Sequence, residues 1–203
     1  NASIVKCLLD KGGIELNNVT FAHKKTPLHF AAESNRSNIV SQLLKKEGIK
    51  LSKTKVGFTA LHYLCKHGDV ENCKSLLIKV SSDDRKELNA EINAQTSDKR
   101  TPLYMASASN QPKIVKLLLD KDANIRLGPP GKTPLHISCE KNQHLVVQEL
   151  LNHLEQKEEE KVVKDYINFT AGGTMTAMSL ALRNGSKECV YDLIKESLKC
   201  PLL

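Results

Sequence analysis

Tryptophan is absent from this chain of 203 residues, and aromatic side chains make up only 4% of it. Stacking platforms for single-stranded nucleic acid and large β-sandwiches normally use more aromatic residues, so neither architecture is favoured. No apolar run approaches the roughly 18 residues that a membrane-spanning helix requires, and residues 1–6 do not begin a secretory signal. We therefore expect a chain without a membrane span that works in the cytoplasm.

Closely spaced cysteines are also missing. The six cysteines lie at positions 7, 65, 73, 139, 189 and 200. No C-x-x-C motif occurs, and a chain of this length can bury a core without disulfides, which favours a reducing, intracellular compartment. The sequence has no phosphate-binding glycine loop, no H-E-x-x-H, no G-x-S-x-G and no kinase signature. It therefore predicts no catalytic residue, no metal site, no cofactor and no enzyme activity.

Charge of both signs is plentiful but unevenly distributed along the chain. The sequence has 30 lysines and arginines against 23 acidic residues, a net charge of +7, and residues 1–57 carry ten bases and four acids. With 40% hydrophobic and 26% charged residues, the composition is typical of a globular domain. Positive potential is expected to concentrate towards the N-terminal end, where it would attract an acidic partner.

A tetrapeptide that begins with threonine recurs five times. The copies are Thr26-Pro27-Leu28-His29, Thr59-Ala60-Leu61-His62, Thr101-Pro102-Leu103-Tyr104, Thr133-Pro134-Leu135-His136 and, in degraded form, Thr176-Ala177-Met178-Ser179. Seventeen residues after each threonine comes an apolar pair, and nine residues after it comes either glycine or asparagine. Such fixed offsets indicate one structural unit used five times, as in repeat proteins.

Each unit predicts a helix, a tight turn and a second helix. Threonine suits the N-cap of the first helix because its hydroxyl accepts a bond from an otherwise unpaired N–H, and proline suits the first helical position. The glycine or asparagine at the ninth position, such as Gly68 or Asn110, suits a left-handed turn that ends this helix. The apolar pair, such as Leu76-Leu77, would face the core from the second helix.

The segment Thr26-Pro27-Leu28-His29-Phe30-Ala31-Ala32 and the period of about 33 residues resemble the ankyrin repeat family. The resemblance implies an all-α solenoid of stacked antiparallel helix pairs, with hairpin-like loops, here called fingers, that project before each threonine. It divides the chain into a half-repeat, 1–21, and repeats at about 22–54, 55–96, 97–128, 129–171 and 172–203. Since the half-repeat starts at a second helix and lacks a capping unit, we expect this single domain to be part of a longer protein.

The two inserts, the histidines of the tetrapeptides and the cysteines within the units are all predicted to have structural roles. Residues 79–91 and 152–165 lengthen the second and fourth units, and we expect each to continue the second helix as a solvated extension. The resemblance implies that the histidine of each tetrapeptide, such as His62, hydrogen-bonds to backbone and orders the next unit. Cysteines within the units are expected to be small buried residues.

The family's interaction surface comprises the finger residues four, three and one before each threonine, and the helix residues seven and eight after it. Those positions carry seven bases and three acids, a net +4 on the concave face. The resulting candidates for partner binding are Lys25, Lys55, Phe58, Lys66, His67, Arg100, Lys132, Lys141, Met175 and Arg183.

Three functions remain open from the sequence. The first is a protein–protein interaction scaffold whose concave, basic face binds a partner with an acidic surface or segment, anchored by Phe58. The second is the targeting or regulatory ankyrin domain of a larger enzyme, channel or pathogen effector. The third is weak, salt-sensitive nucleic-acid binding, which the net charge permits but for which the sequence has no base-reading motif. The sequence does not define the oligomeric state.

Overall fold

The computed structural model describes residues 15–81, 85–157, 160–171 and 175–199, and this part of the chain is built almost entirely of helices. In chain order the helices are α1 (Pro27–Glu33), α2 (Ser37–Leu44), α3 (Ala60–His67), α4 (Val70–Ser81), α5 (Arg85–Ile92), α6 (Pro102–Ala108), α7 (Pro112–Leu119), α8 (Pro134–Glu140), α9 (His144–Lys157), α10 (Glu160–Ile167), α11 (Ala177–Arg183) and α12 (Lys187–Lys199). Strands β1 (Thr170–Ala171) and β2 (Met175–Thr176) pair antiparallel, with Thr170 opposite Thr176. Most of the predicted half-repeat, residues 1–14, lies outside the described residues.

The first helix of every unit begins as its tetrapeptide predicts. The five threonines are the N-caps, each with an extended backbone. At three of them, Thr26, Thr59 and Thr133, a capping box forms in which the ring Nδ1 of the following histidine accepts from the threonine N–H. The histidine takes the place that glutamate or glutamine holds in an ordinary capping box. Local sequence alone therefore fixes where these helices start.

The turn between the two helices is confirmed in all five units. The glycine or asparagine nine residues after the threonine has a positive φ at Asn35 (53°), Gly68 (81°), Asn110 (54°), Asn142 (55°) and Gly185 (67°). Glycine and asparagine enter this left-handed region most cheaply, which explains why no other residue type occupies the position.

Replacing Asn110 with valine is expected to destabilise the array by about 1–2 kcal/mol, because a β-branched residue is strained at its φ of 54°. Replacing it with glycine should leave stability unchanged or slightly higher. Urea denaturation of both variants measures the difference, and Ser109→Val, one residue earlier at φ −109°, is the matched control. Equal midpoints for the valine and glycine variants would contradict the role of the turn.

The units stack in register and form one continuous core. The first helices contact one another in the order α1, α3, α6, α8 and α11, and the second helices in the order α2, α4, α7, α9 and α12. The apolar pairs of the second helices are buried between these two layers, except that Ile194, on the last described helix, is 45% exposed. The predicted all-α solenoid of stacked helix pairs is therefore confirmed.

The histidines of the first, second and fourth tetrapeptides hydrogen-bond to backbone carbonyls that lie before the next tetrapeptide. The ring Nε2 of His29 donates to the carbonyl of Phe58 (3.2 Å), and that of His62 donates to the carbonyl of Arg100 (3.1 Å). In the fourth unit the ring Nε2 of His136 donates to the carbonyl of Phe169 (3.0 Å), which lies directly before β1 and not directly before the threonine of the next tetrapeptide. Burial lowers the pKa of His62 to about 4, against the opposing effect of its bonds to backbone carbonyls, so the ring is neutral at pH 7. The predicted hydrogen bonds of these histidines to backbone are therefore confirmed.

Backbone hydrogen bonds join neighbouring fingers side by side. The N–H of Lys55 in the second finger donates to the carbonyl of His23 in the first (2.9 Å), and the N–H of Ser97 in the third donates to the carbonyl of Val56 in the second (2.9 Å). The hairpin of β1 and β2 forms the last finger. The fingers therefore hold their side chains at fixed positions beside the first helices.

The prediction of solvated extensions of the second helices is confirmed only in part, because residues 155–157 at the end of α9 and most of residues 85–90 are exposed whereas other insert residues are buried. In the second unit α4 ends at Ser81 and a separate helix, α5, follows; in the fourth unit α9 runs to Lys157 and α10 follows. Ile92 of α5, and Tyr166 and Ile167 of α10, are at most 3% exposed and belong to the core. The second helices do not simply continue, because apolar residues at and directly after the end of each insert recur at helical spacing and bury one face of a further helix.

The cysteines that the structure describes are buried thiols, as predicted. They are Cys65, Cys73, Cys139 and Cys189, all free. Burial raises the pKa of the Cys65 thiol, which keeps it protonated and unreactive. Cys7 and Cys200 lie outside the described residues.

Candidate functional site

A groove of about 400 Å³ lies where the first three fingers meet the first helices of the second and third units. Five of the ten predicted partner-binding residues line this groove, which we call the finger groove: Lys25, Lys55, Phe58, Lys66 and Arg100. They come from three different units, so stacking of the repeats brings them together. The groove also contains Glu33, Tyr63 and Met105.

The aromatic centre of the finger groove is Phe58. Its ring stacks on that of Tyr63, with centroids 5.2 Å apart and planes at 24°, and lies at a tilt beside His62 at 5.5 Å. Phe58 is half-buried and packs against the core with its inner side. The remainder of the ring faces the groove, where it offers an apolar contact fixed in position by its neighbours.

Glu33 organises the polar edge of the groove. The Lys25 ammonium donates to both of its carboxylate oxygens, at 2.7 and 2.6 Å. Burial raises the pKa of Tyr63 to about 12, and the charge of Glu33 and a hydrogen bond to it act in the same direction. Tyr63 is therefore a neutral hydrogen-bonding group in the groove at physiological pH.

All three acids of the predicted surface are neutralised by bases of the same surface. In two units the residue before the threonine pairs with the residue seven after it: Lys25 with Glu33 (2.6 Å) in the first, and Lys132 with Glu140 (2.7 Å) in the fourth. Arg100 pairs with Asp98 (2.7 Å) within the third finger.

In the second unit the two paired positions carry Phe58 and Lys66, so no acid is present to neutralise the lysine. Within the described part of the chain, neither Lys55 nor Lys66 has an acidic side chain at ion-pair distance. Both side chains are exposed. The unbalanced positive charge in the finger groove therefore lies on these two lysines, on either side of Phe58.

The other predicted residues lie outside the finger groove. His67 and Lys141 each bond to a backbone carbonyl of the preceding unit, the first to Glu33 (3.0 Å) and the second to Ala108 (2.9 Å). The Arg183 guanidinium contacts the sulfur of Met175 at 3.7 Å in the fifth unit. These contacts hold His67 and Lys141 in place as links between successive units.

The residue four positions after each threonine was not among the predicted partner-binding residues. Tyr63 and Met105 occupy this position in the second and third units and line the groove, although each is less than 9% exposed. In the first unit the position holds Phe30, whose ring centre lies 5.6 Å from the Lys25 ammonium. The available signal was the large side chain that recurs directly after the tetrapeptide.

No group of three or more His, Cys, Asp or Glu side chains is arranged to hold a metal ion in the described ranges. Among the described helices, none combines the length and apolar character needed to cross a membrane.

Comparison with known families gives one consistent match. A family model described as ankyrin repeats (3 copies) matches three overlapping stretches of this chain, residues 1–89, 49–128 and 81–165. Together these stretches cover residues 1–165, which leaves out the end of α10 and the residues after it.

Similar curated proteins are considerably longer than this chain. Inversin of Homo sapiens is 30% identical over 127 residues, which are 62% of this chain and 11% of inversin. The E3 ubiquitin-protein ligase XBAT33 of Arabidopsis thaliana is 27% identical over 190 residues, 93% of this chain and 32% of the ligase. Transient receptor potential cation channel subfamily A member 1 of Homo sapiens is 32% identical over 111 residues, 55% of this chain and 9% of the channel. The chain thus spans a third or less of each of these relatives.

Proposed function

Since the chain belongs to the ankyrin repeat family, whose repeats are non-catalytic protein–protein interaction modules, we propose that it binds an acidic segment of another protein in the finger groove. An extended segment would lie along the row of fingers and place an apolar side chain against Phe58. Its carboxylates would pair with Lys55 and Lys66. The cytoplasm is the proposed location, in keeping with the reduced cysteines.

The observation that carries this proposal is the unbalanced charge beside an aromatic ring. Of the cations in the finger groove, Lys25 and Arg100 already have carboxylate partners, whereas Lys55 and Lys66 have none among the described residues. Buried aromatic anchors in well-packed positions supply much of the binding energy in protein interfaces. Charges at the rim act mainly by accelerating association with an oppositely charged partner.

The proposal is tested by selecting ligands for the chain from a random peptide display library. We expect the selected peptides to be enriched in aspartate and glutamate near an apolar residue. Lys55→Glu and Lys66→Glu should each weaken a selected peptide about tenfold, roughly 1.4 kcal/mol, mainly through slower association and a flatter dependence on salt.

Lys113→Glu, an exposed charge reversal on α7 far from the fingers, is the matched control and should bind normally. Phe58→Ala is a less specific probe, because the ring also packs on Tyr63 and its loss lowers stability together with affinity. Selected peptides without acidic residues, or equal loss of binding in the control, would refute the finger groove as an acidic-segment site.

A second candidate function is targeting or regulation within a larger protein. It is favoured by the relatives, in which the matching stretch is a minor part of a ubiquitin ligase and of a cation channel. Assay of the full-length protein with and without Lys66→Glu separates the two. A change in an activity located elsewhere in the protein favours the regulatory function, and a change in partner recruitment alone favours the scaffold.

A further inference from the structure

A second cavity, of about 510 Å³, shares no lining residue with the finger groove and lies beside the insert of the second unit. It is formed between the chain segment that follows α2, the end of α4 and the insert helix α5. We call it the insert pocket and define it by Ile49, Leu51, Ser52, Val80, Ala90 and Glu91. Its volume falls within the range of small-molecule binding sites.

Two buried polar atoms in the insert pocket lack hydrogen-bond partners in the described part of the chain. They are Oε1 of Glu91 and the hydroxyl oxygen of Ser52. Glu91 is only 9% exposed, and the Thr59 hydroxyl bonds to its carboxyl group. Burial raises the pKa of Glu91, and Thr59 and the nearby Lys53 ammonium oppose this shift. A buried polar atom without a partner is costly, so both atoms favour a ligand that would satisfy them.

In the fourth unit the space equivalent to the insert pocket is occupied by side chains. α5 and α10 both extend from sixteen to nine residues before the next threonine, so Glu91 and Tyr166 occupy equivalent positions. Likewise, Ser52 and Arg126 both lie seven residues before a threonine, and Leu51 and Ile125 both lie eight before.

In the fourth unit the tyrosine and arginine fill this space together. Tyr166 is fully buried, and its hydroxyl donates to the carbonyl of Ile125 at 2.9 Å. The Arg126 guanidinium lies 5.5 Å from the centre of the ring. In the second unit both side chains are replaced by shorter ones, and these two are the residues whose oxygens lack partners. The insert pocket is therefore the space that an aromatic ring and a cation occupy two units later.

Bases outnumber acids around the insert pocket. Lys50 and Lys53 line it from the segment after α2 and Lys79 lines it from α4, whereas the exposed Glu87 lines it from α5. Lys50 and Lys53 are both exposed. Ile49, Leu51, Val80 and Ala90 supply apolar walls. An occupant therefore needs an apolar body, a hydrogen-bonding group at its inner end and a negative charge at its outer end.

We propose that the insert pocket binds a small aromatic acid whose ring takes the place that Tyr166 occupies in the fourth unit. A phenolic hydroxyl would meet Glu91 and Ser52, since it can both donate and accept a hydrogen bond. The carboxylate would pair with Lys50 and Lys53 at the rim. This site is independent of the finger groove and of its protein partner.

The experiment titrates the chain with 4-hydroxyphenylacetate and follows the backbone amides of Val80, Ala90 and Glu91 by NMR. We expect saturable shifts at these amides and a raised melting temperature. Phenylacetate, which lacks the hydroxyl, and 4-hydroxyphenethyl alcohol, which lacks the carboxylate, should each bind several-fold more weakly. Absence of saturable shifts with 4-hydroxyphenylacetate would overturn the proposal, and so would equal affinity for the uncharged alcohol.

Glu91→Tyr reproduces the filled arrangement of the fourth unit and should abolish binding while it raises the melting temperature. Ala90→Leu, also on α5, blocks the pocket by a second route if the first variant does not fold. Lys53→Glu should weaken binding about tenfold, whereas the matched reversal Lys113→Glu should not. Unchanged binding in a folded pocket-filling variant would place the ligand elsewhere and refute the site.

Discussion

Replacing Tyr166 with alanine is expected to destabilise the chain by about 3–5 kcal/mol, the range for removal of a large buried aromatic side chain. Tyr166 has no exposed surface, and its hydroxyl bonds to the backbone of the preceding unit through Ile125. Tyr166→Phe should cost about 1–2 kcal/mol, because it leaves that partly buried carbonyl without its donor. Chemical denaturation measures both values.

The control for this prediction is Lys161→Ala, an exposed residue of the same helix, α10, which should change stability by no more than about 0.5 kcal/mol. If Tyr166→Ala were as mild as the control, α10 would be a solvated extension after all. The comparison therefore tests whether the insert of the fourth unit is part of the core.

Lowering the pH is expected to destabilise the array between about pH 6.5 and pH 4 through His62. The pKa of this histidine is about 4 in the folded chain, against 6.5 for an unburied histidine, and its lowering is due to burial. Over this interval the unfolded chain binds the proton more readily than the folded chain, so acid favours unfolding. For His62 alone the loss at pH 5 relative to pH 7.5 is about 2 kcal/mol, since one pKa unit corresponds to about 1.4 kcal/mol.

His62→Gln isolates this effect. Glutamine is an ordinary third residue of a capping box and can accept from the Thr59 N–H, but it does not titrate. Urea denaturation at several pH values should give a smaller loss of stability for the variant. Some dependence on pH will remain, because burial also lowers the pKa of His29 and His136. An unchanged pH profile would mean that His62 is not buried as a neutral ring.

The sequence by itself determined the repeating unit, because its signals are local. A threonine N-cap, a proline at the first helical position and a residue with positive φ nine positions later act within a few residues of one another. Their fixed offsets therefore predict the helix starts and turns without knowledge of packing, and the structure confirms them at Thr26, Asn35 and their equivalents. The family period then predicts that the units stack.

Part of the candidate site was also predictable from position within the unit. The offsets from each threonine identify which residues lie on the fingers and at the ends of the first helices, and five of the ten partner-binding candidates chosen from them line the finger groove. They do not say which charges neutralise each other. Lys25 and Lys66 both count as bases in the sequence, but Lys25 has Glu33 as its partner and Lys66 lacks one in the described part of the chain.

Only the tertiary structure decided the packing of the inserts and the two cavities. Whether Tyr166 lies in solvent or in the core depends on residues of the preceding unit, such as Ile125, which is 41 positions away in sequence. The insert pocket likewise depends on Ser52 and Glu91, which are brought together by stacking and by the return of α5 against the segment after α2. Burial and charge pairing are properties of neighbours in space, and local spacing carries no information about neighbours that distant in the chain.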